Sequence, residues 1–281
     1  MKKEHIGLIQ IIIASLLFGF IPIVVRMGSN INSYTLSFFR VLVSVISLII
    51  YFVIFKERFM FLRYDRKKMI FFGAIHGFII LGYFIAIQNL SVALAVILLY
   101  SSSIWMIIFS RFILREKITK KTTISLIIAL VGLFLVISPQ GLLSNYNFIG
   151  ILSGVLSGVG FGLVYVLSKT FTKYDKVSLT FWQNLISLPF LLPSIFISLP
   201  EFSFNNIILI VLLGTLFTTI PFILVFKGFQ KVKGQQGAIA VLLDIIFPIL
   251  LALIIFKEVP TVLELIGGGL IILGVILSSI D

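Results

Sequence analysis

Residues 148–170, FIGILSGVLSGVGFGLVYVLSKT, decide what kind of fold this chain adopts. The stretch contains no charged residue before Lys169, close to its end. A helix that crosses the ~30 Å hydrocarbon layer of a bilayer needs ~20 apolar residues, whereas a run of about a dozen is typical of a soluble core. The stretch therefore predicts a transmembrane helix.

Nine further stretches of this kind occupy most of the chain. The other predicted spans are 6–27, 34–55, 68–89, 93–114, 121–138, 177–198, 206–228, 237–256 and 262–280. Of the 281 residues, 60% are hydrophobic and 11% are charged, whereas about a quarter of a soluble domain is charged. Each span must be helical, because lipid offers no partner for unpaired backbone groups. The sequence predicts an all-α integral membrane protein with ten transmembrane helices.

The first apolar run follows two lysines and so resembles a signal peptide superficially. It extends from residue 6 to about residue 27, which is too long for a signal-peptide core, and no small-x-small cleavage site follows it. We therefore expect it to be retained as the first transmembrane helix.

The basic residues fall almost entirely on one side of the predicted topology. With the N-terminus placed in the cytoplasm, 19 of the 22 Lys and Arg residues lie in cytoplasmic segments, and the exceptions are Arg26, Arg40 and Lys257. Lys and Arg collect in the cytoplasmic loops of membrane proteins. This distribution predicts that both termini are cytoplasmic and that the membrane is the cell membrane. It also explains the net charge of +12 without nucleic acid as a partner.

The two halves of the chain share a pattern. Shifted by 143 residues, Phe18-Gly19 and Arg26 fall on Phe161-Gly162 and Lys169. Shifted by 142, Arg115-Glu116 falls on Lys257-Glu258. Residues 1–141 and 145–281 are therefore predicted to be two five-helix repeats, and an odd number of helices places the second upside down. Inverted repeats are common in secondary transporters, whose substrate site lies near the midplane between the repeats.

These motifs resemble the drug/metabolite transporter superfamily, in particular the EamA-type family. The resemblance covers nearly the whole chain and rests on the Phe-Gly-x6-Arg/Lys pattern, on Arg40, and on segments 83–95, 114–119 and 256–261. The family usually has a proline inside both span four and span nine, whereas this chain has Met106 and Pro248 there. The resemblance implies transport, often efflux, of amino acids, nucleobases or other small metabolites. For a bundle of two inverted repeats we expect secondary transport of a small polar metabolite by alternating access.

Signatures of other function classes are missing from the sequence. It contains no His-Glu-x-x-His, no Gly-x-Ser-x-Gly and no phosphate-binding loop. Cysteine is absent, which excludes disulfides and thiolate metal sites. We expect no enzyme activity, no cofactor and no metal. The partners expected are a small-molecule substrate and the lipid bilayer, with a coupled proton as a further candidate, in a monomer or homodimer. The alternative is a non-transporting membrane scaffold or assembly partner.

Asp244 is the predicted functional centre of the ninth span, because it is the one Asp within a span. A carboxylate at mid-helix depth costs ~2.5–3.5 kcal/mol on insertion scales, so such residues normally face a cavity or a partner. His76 is its predicted partner, since their depths are ~12 and ~10 Å at 1.5 Å per residue. Asp244 would bind a substrate amine or a coupling proton, which His76 could exchange near neutral pH. The alternative is a structural pair, or a neutral Asp244 held by Ser or Thr.

Arg40 lies ~9 Å from the opposite face at the helical rise, and is therefore a poorer partner for Asp244. It could snorkel outward or bind a substrate carboxylate.

Other residues are candidates for the cavity wall or for packing. The candidate lining residues are Tyr83, Trp105, Ser102, Phe247, Gln183 and Asn184, although such aromatic residues are more often packing or interfacial groups. Gly154, Gly158 and Gly162 are spaced by four, which predicts a flat strip for close helix packing. Glu116 and Glu258, at span ends, are predicted to form ion pairs or helix caps without a role in transport.

Overall fold

The computed structural model describes residues 3–27, 33–56, 59–90, 92–137, 147–196 and 203–279. The predicted boundary between the repeats, the C-terminal Asp281 and the side chain of Arg26 lie outside the described part of the chain.

Every regular element in the described residues is helical, which confirms the all-α class. The helices are α1 Lys3–Met27, α2 Ser33–Phe55, α3 Arg66–Asn89, α4 Val92–Tyr100, α5 Ser102–Ile113, α6 Lys120–Ile137, α7 Phe148–Thr170, α8 Lys176–Leu191, α9 Phe204–Gly214, α10 Ile220–Phe229, α11 Gly234–Ala240, α12 Leu243–Phe256 and α13 Val262–Ser279. A 3-10 turn, Leu192–Phe196, extends α8, and a π-helical turn, Thr215–Thr219, joins α9 to α10.

Nine of the helical stretches in the described residues are long and apolar enough to cross a membrane. They are Lys3–Val24, Thr35–Phe55, Arg66–Ile87, Leu94–Ile113, Phe148–Thr170, Lys176–Phe196, Phe204–Phe229, Gly234–Phe256 and Val262–Ser279. The remaining predicted span, 121–138, corresponds to α6, which has 18 residues and ends where the described residues stop. The structure therefore supports a multi-pass membrane protein, and the count of ten spans stays a prediction.

The helices of the two halves pack mainly against each other. Helix α3 packs on α7 as α10 packs on α1, and α5 packs on α7 as α12 packs on α1. Helix α3 also contacts α8 as α9 contacts α2, while α6 and α13 pack side by side. Each contact between a helix of one half and a helix of the other has a counterpart formed by the equivalent helices of the opposite halves. This arrangement fits the two-repeat architecture.

Large apolar side chains cover the outside of the bundle. Examples are Val53, Ile54 and Phe112, whose exposed fractions are 71%, 65% and 77%. Continuous exposure of this kind marks a membrane or protein contact, and here it surrounds helices of membrane-spanning length. We therefore interpret it as the lipid-facing surface.

Basic segments meet at one end of the bundle, which we call the basic end and which comprises segments 59–65, 114–119, 171–175 and 230–233. Tyr174 Oη donates to the Tyr64 carbonyl at 2.7 Å, and the Gly234 amide donates to Glu116 Oε1 at 2.9 Å. These contacts bring together loops that the charge pattern assigns to the same side.

Candidate functional site

Two membrane-spanning stretches are interrupted near mid-membrane, and both interruptions border candidate residues. One lies at Ser101, between α4 and α5, and the other at residues 241–242, between α11 and α12. The shift of 142 places Ser101 and Ser102 on Leu243 and Asp244. The breaks are thus nearly equivalent, although only one half has the proline, Pro248. Interrupted helices of this kind form substrate and ion sites in many transporters.

Asp244 lies in the first turn of α12 and is 9% exposed. The Ser15 hydroxyl of α1 hydrogen-bonds its carboxyl group, while Oδ1 has no hydrogen-bond partner among the described residues. Tyr100 at the end of α4 and Tyr165 on α7 lie within electrostatic range of the carboxyl group. One carboxylate oxygen is therefore left for a ligand or a proton.

His76 and Asp244 form no hydrogen bond or ion pair among the described residues, so the predicted partnership has no contact to support it in this conformation. The His76 ring lies edge-on to Phe222, with ring centroids 5.1 Å apart, and the charged group in electrostatic range is Arg40. The depth of each residue follows from its position in its helix, but the direction of its side chain around the helix does not. Helix α3 faces α8 here, since a Cβ at Gly73 would lie 2.5 Å from Ile186 Cβ.

Arg40 occupies the same region from α2. Its Nε is buried and has no hydrogen-bond partner within the described ranges, and it interacts electrostatically with Tyr83 as well as with His76. Tyr83 in turn lies within electrostatic range of Tyr100, on the path toward Asp244. Arg40 and Asp244 form no ion pair in the part of the chain that the structure describes.

A fully buried polar face of α8 completes this region. Asn184 Nδ2 donates to Ser44 Oγ at 2.7 Å, and Ser44 Oγ lies 2.6 Å from Thr219 Oγ1 in the π-helical turn. Both polar atoms of Gln183 lack hydrogen-bond partners among the described residues. Turns of this type are frequent at functional sites. The shift of 143 places Arg40 on Gln183, so the two repeats present different polar groups at one position.

The remaining candidates sit where helices cross closely. Trp105 stacks on Phe109 with ring centroids 6.1 Å apart, and a Cβ at Gly19 would lie 2.8 Å from Phe247 Cβ. Ser102 is fully buried, and its hydroxyl has no hydrogen-bond partner within the described ranges. The two aromatic residues therefore have packing roles, whatever else they contact.

The glycine strip of α7 packs onto the interrupted helix α4–α5. A Cβ at Gly154 would lie 2.7 Å from Leu98 Cδ1, and one at Gly162 would lie 2.9 Å from the Ser102 carbonyl oxygen. At Gly158 a Cβ would collide with the Leu98 carbonyl oxygen. The strip thus lets α7 approach the backbone beside the break.

A cleft of about 340 Å³ opens at the end of the bundle opposite the basic end. Pro22 of α1 and Pro248 of α12 line it, together with Phe256, Glu258 and Glu264. Pro248 is one helical turn from Asp244, so the cleft begins on the side of Asp244 that faces away from the basic end. No group of three or more potential metal-ligating side chains occurs in the described residues.

Four residues of this region were not predicted from the sequence, namely Ser15, Tyr165, Ser44 and Thr219. Serine and threonine are frequent in membrane helices, where they often bond their own backbone, so composition alone does not single them out. Tyr165 is fully buried, yet its hydroxyl has no hydrogen-bond partner within the described ranges. In the sequence, Tyr165 is distinguished only by its position one helical turn before Lys169.

An all-helical bundle with interrupted membrane helices and unpaired polar groups at its centre has the features of a membrane transporter. A model of the EamA-like transporter family matches residues 5–138 and 148–280, and the chain belongs to this family.

Relatives agree with this assignment, and a solved structure shares the fold. An uncharacterized transporter of Archaeoglobus fulgidus is 31% identical over 70% of this chain and 70% of its own length. The pseudopaline exporter CntI of Pseudomonas aeruginosa is 23% identical, covering 97% and 95%. The S-adenosylmethionine uptake transporter of Rickettsia bellii is 23% identical, covering 88% and 83%. A crystal structure at 15% identity superposes with a TM-score of 0.85 over 97% of this chain and 96% of that chain, which shows the shared fold.

Proposed function

We propose that this chain is a secondary transporter that exports a small zwitterionic metabolite, an amino acid or a related compound, by alternating access. The carrying observation is a buried acid, Asp244, and a partly buried base, Arg40, whose Nε atom is buried. The two form no ion pair with each other in the described residues. Uncompensated charges inside a membrane protein are costly and usually mark a substrate or ion path. A zwitterion would satisfy both, with its ammonium group at Asp244 and its carboxylate at Arg40.

The groups around each charge support this assignment. Near Asp244, the Oδ1 atom and the Tyr165 hydroxyl lack partners within the described ranges, so acceptors are available for an ammonium group. For the carboxylate end, the Arg40 Nε and the Gln183 Nε2, both without a partner among the described residues, can each donate a hydrogen bond. Tyr83 lies within electrostatic range of Arg40, and Tyr100 lies within electrostatic range of both Tyr83 and Asp244, so the two tyrosines connect the two ends.

The proposed orientation of the protein in the membrane rests on the distribution of its basic residues. We propose that the basic end faces the cytoplasm and that both termini lie there, in the cell membrane, because cytoplasmic loops are enriched in Lys and Arg. The two repeats would move against each other around the interrupted helices. One relative is named for export and another for uptake, so the efflux direction rests on the family resemblance.

Proton coupling through Asp244 is a second candidate role for the same residue. It is supported by the single Ser15 hydrogen bond, which leaves the other carboxylate oxygen open. A carboxylate that alternates between a proton and a substrate amine would couple the two fluxes.

Reconstitution into liposomes tests the proposal. Proteoliposomes preloaded with one amino acid are assayed for counterflow of a labelled copy across a panel of amino acids, amines, carboxylic acids and sugars. We expect saturable counterflow for zwitterions and none for sugars. The absence of saturable flux for every compound, with folded and inserted protein, would favour the scaffold alternative.

A further inference from the structure

The basic end of the bundle is held closed by a small polar cluster, which we call the latch and which comprises Glu116, Lys169, Val232 and Gly234. Lys169 Nζ lies 3.1 Å from Glu116 Oε1 and donates to the Val232 carbonyl oxygen at 2.7 Å. The Gly234 amide donates to the same Glu116 oxygen at 2.9 Å. One carboxylate oxygen thus joins the loop after α5 to the end of α7 and to the start of α11.

These three segments come from both halves of the chain. Glu116 follows the interrupted helix of the first half, whereas Lys169 and Gly234 belong to the second half. A further bond, from Gln235 Nε2 to the Lys117 carbonyl oxygen at 3.0 Å, adds to the same junction. The basic end cannot separate along this line unless the ion pair and these hydrogen bonds break.

An aromatic layer lies between the latch and Asp244. Tyr165, one turn before Lys169 on α7, stacks on Phe229 with ring centroids 5.1 Å apart and planes inclined by 7°. Phe229 also packs against Gly237, where a Cβ would lie 2.7 Å from the ring. Residues 234–244 run from the latch past this layer to Asp244, so the path from the basic end to Asp244 is blocked twice.

At the opposite end, described residues of α1 and α12 and of the segment after α12 line a cleft. The 340 Å³ cleft lies there, one turn beyond Asp244. Glu258, which is equivalent to Glu116 under the shift of 142, lines that cleft. The two equivalent acidic residues are therefore in different settings, one in a closed junction and the other beside an opening.

We propose that the Glu116–Lys169 pair is the gate that keeps the substrate site closed to the cytoplasm in this conformation and must break for the site to open inward. This rests on the proposed transport function and replaces the expectation that Glu116 has no part in transport. The exposed fractions of the Lys169 and Glu116 side chains are 15% and 18%. Neither side chain is fully buried, and Glu116 Oε2 is a buried atom without a hydrogen-bond partner among the described residues, so opening the gate would rehydrate a charged pair that is incompletely satisfied when closed. A reversible gate needs such a pair.

Cysteine accessibility tests the gate without knowledge of the substrate. The sequence contains no cysteine, so a single Ser110→Cys reporter is unique. Ser110 is fully buried, and its side chain contacts Gly234 in the α5–α11 junction. Inside-out vesicles are treated with a membrane-impermeant maleimide, and the labelling rate is measured. Ser103→Cys, equally buried in α5, repeats the measurement from a second position.

Neutralising either partner should open the basic end. We expect Glu116→Gln and Lys169→Gln each to raise the labelling rate about tenfold, within the ~5–150-fold range of coupled equilibria. The exchanged pair Glu116→Lys with Lys169→Glu re-forms the ion pair but not the bonds to the Gly234 amide and the Val232 carbonyl, so its labelling rate should fall between those of the single variants and the parent. Lys120→Gln, which removes an exposed charge nearby, should leave it unchanged. Lys227→Cys, an exposed position at the end of α10, should label equally in every variant and reports sidedness.

Unchanged labelling in both single variants would contradict the gate. So would an exchanged pair that labels as fast as the single variants, because the effect would then not depend on the pairing. Loss of monodisperse folded protein in both single variants would show a structural clamp and would equally overturn the gate. Since labelling needs no substrate, a gate that behaves as expected in a protein without flux would refute the transport function alone.

Discussion

Two equivalent helix crossings at the centre of the bundle differ in chemistry. At the α1–α12 crossing, Ser15 hydrogen-bonds Asp244. At the α7–α5 crossing, the equivalent residues under the shifts of 143 and 142 are Gly158 and Ser102, and Gly158 packs directly on the α4–α5 backbone. One crossing thus carries a charge and the other is a close, uncharged contact with the backbone.

The difference suggests how the two repeats divide their roles. Positions at which the halves agree, such as the helix breaks, form the structure that is common to the two repeats. Positions at which they disagree, such as Asp244 against Ser102 and Arg40 against Gln183, place an acid and a base at separate points of one interior. The chemistry of the site therefore arises from departures from the repeat.

Replacement of the acid should have the largest effect. Asp244→Asn keeps the shape and can still accept from Ser15, but it removes the charge and the titration. Hydrogen bonds to charged groups contribute about 1.5–3 kcal/mol, so kcat/KM for zwitterion counterflow should fall roughly 10–150-fold. Any proton dependence of the flux should disappear. Counterflow and pH profiles in proteoliposomes measure both.

Ser15→Ala is the graded control for this prediction. It leaves the charge of Asp244 in place and removes one supporting hydrogen bond, so a loss of about fivefold is expected, corresponding to ~1 kcal/mol. A wild-type rate and pH profile in Asp244→Asn would make the residue structural and leave the α1–α12 crossing without a function.

Replacement of the base comes next in size. Arg40→Gln puts the same residue type at both equivalent positions of the repeat and removes the bidentate donor. We expect KM for zwitterions to rise about tenfold, with a smaller change in kcat, since the contact serves binding. Arg40→Lys should be intermediate, because an ammonium group keeps the charge without the planar fork. If Arg40→Gln and wild type showed equal KM values, Arg40 would not contact the substrate.

A substitution at the uncharged α7–α5 crossing should change the stability of the protein and not its specificity. Gly158→Ala places a methyl group against the Leu98 carbonyl oxygen, and such overpacking costs about 1–3 kcal/mol. Gly269→Ala in α13 is the matched control, since nothing lies within 4 Å of the added Cβ. Thermal unfolding in detergent should show a lowered midpoint for Gly158→Ala only. Equal midpoints would show that the α7–α5 contact is looser than described.

The smallest effects are expected at the basic end outside the latch. Neutralising Arg63, Arg66, Lys67 or Lys68 one at a time should leave transport almost unchanged. Their attraction to anionic lipid contributes about 1 kcal/mol per residue, which serves topology and not the substrate site. Initial rates in native membranes, normalised to inserted protein, check this. Abolition of flux by one such change, with normal insertion, would extend the functional site to this surface.

Much of the fold could be predicted from the sequence, because a bilayer demands long apolar helices. The stretch 148–170 coincides with α7, and the burial of Asp244 followed from its place in an apolar span. The positions of the helix breaks could not be predicted, since neither Ser101 nor residues 241–242 carry a proline or glycine signal.

Which side chains pair with each other could not be predicted from the sequence, for a geometric reason. Helical rise gives the depth of a residue, but the rotation of each helix within the bundle depends on packing across the two halves. For this reason His76, at a suitable depth, faces Phe222 and Arg40 instead of Asp244. The same limit concealed the Ser15–Asp244 bond and the Glu116–Lys169 pair, whose partners are distant in the chain.

The most direct test combines variants of the two charged residues with substrate analogues that lack one or the other charged group. For the best zwitterion in the panel, inhibition of counterflow is measured with the parent compound, its amine-only analogue and its carboxylate-only analogue, in wild type, Asp244→Asn and Arg40→Gln. We predict that Asp244→Asn weakens inhibition by the parent and the amine, but leaves the carboxylate-only analogue unchanged. Arg40→Gln should do the reverse. Equal losses for all three compounds in both variants would contradict a site in which Asp244 and Arg40 bind opposite ends of one substrate.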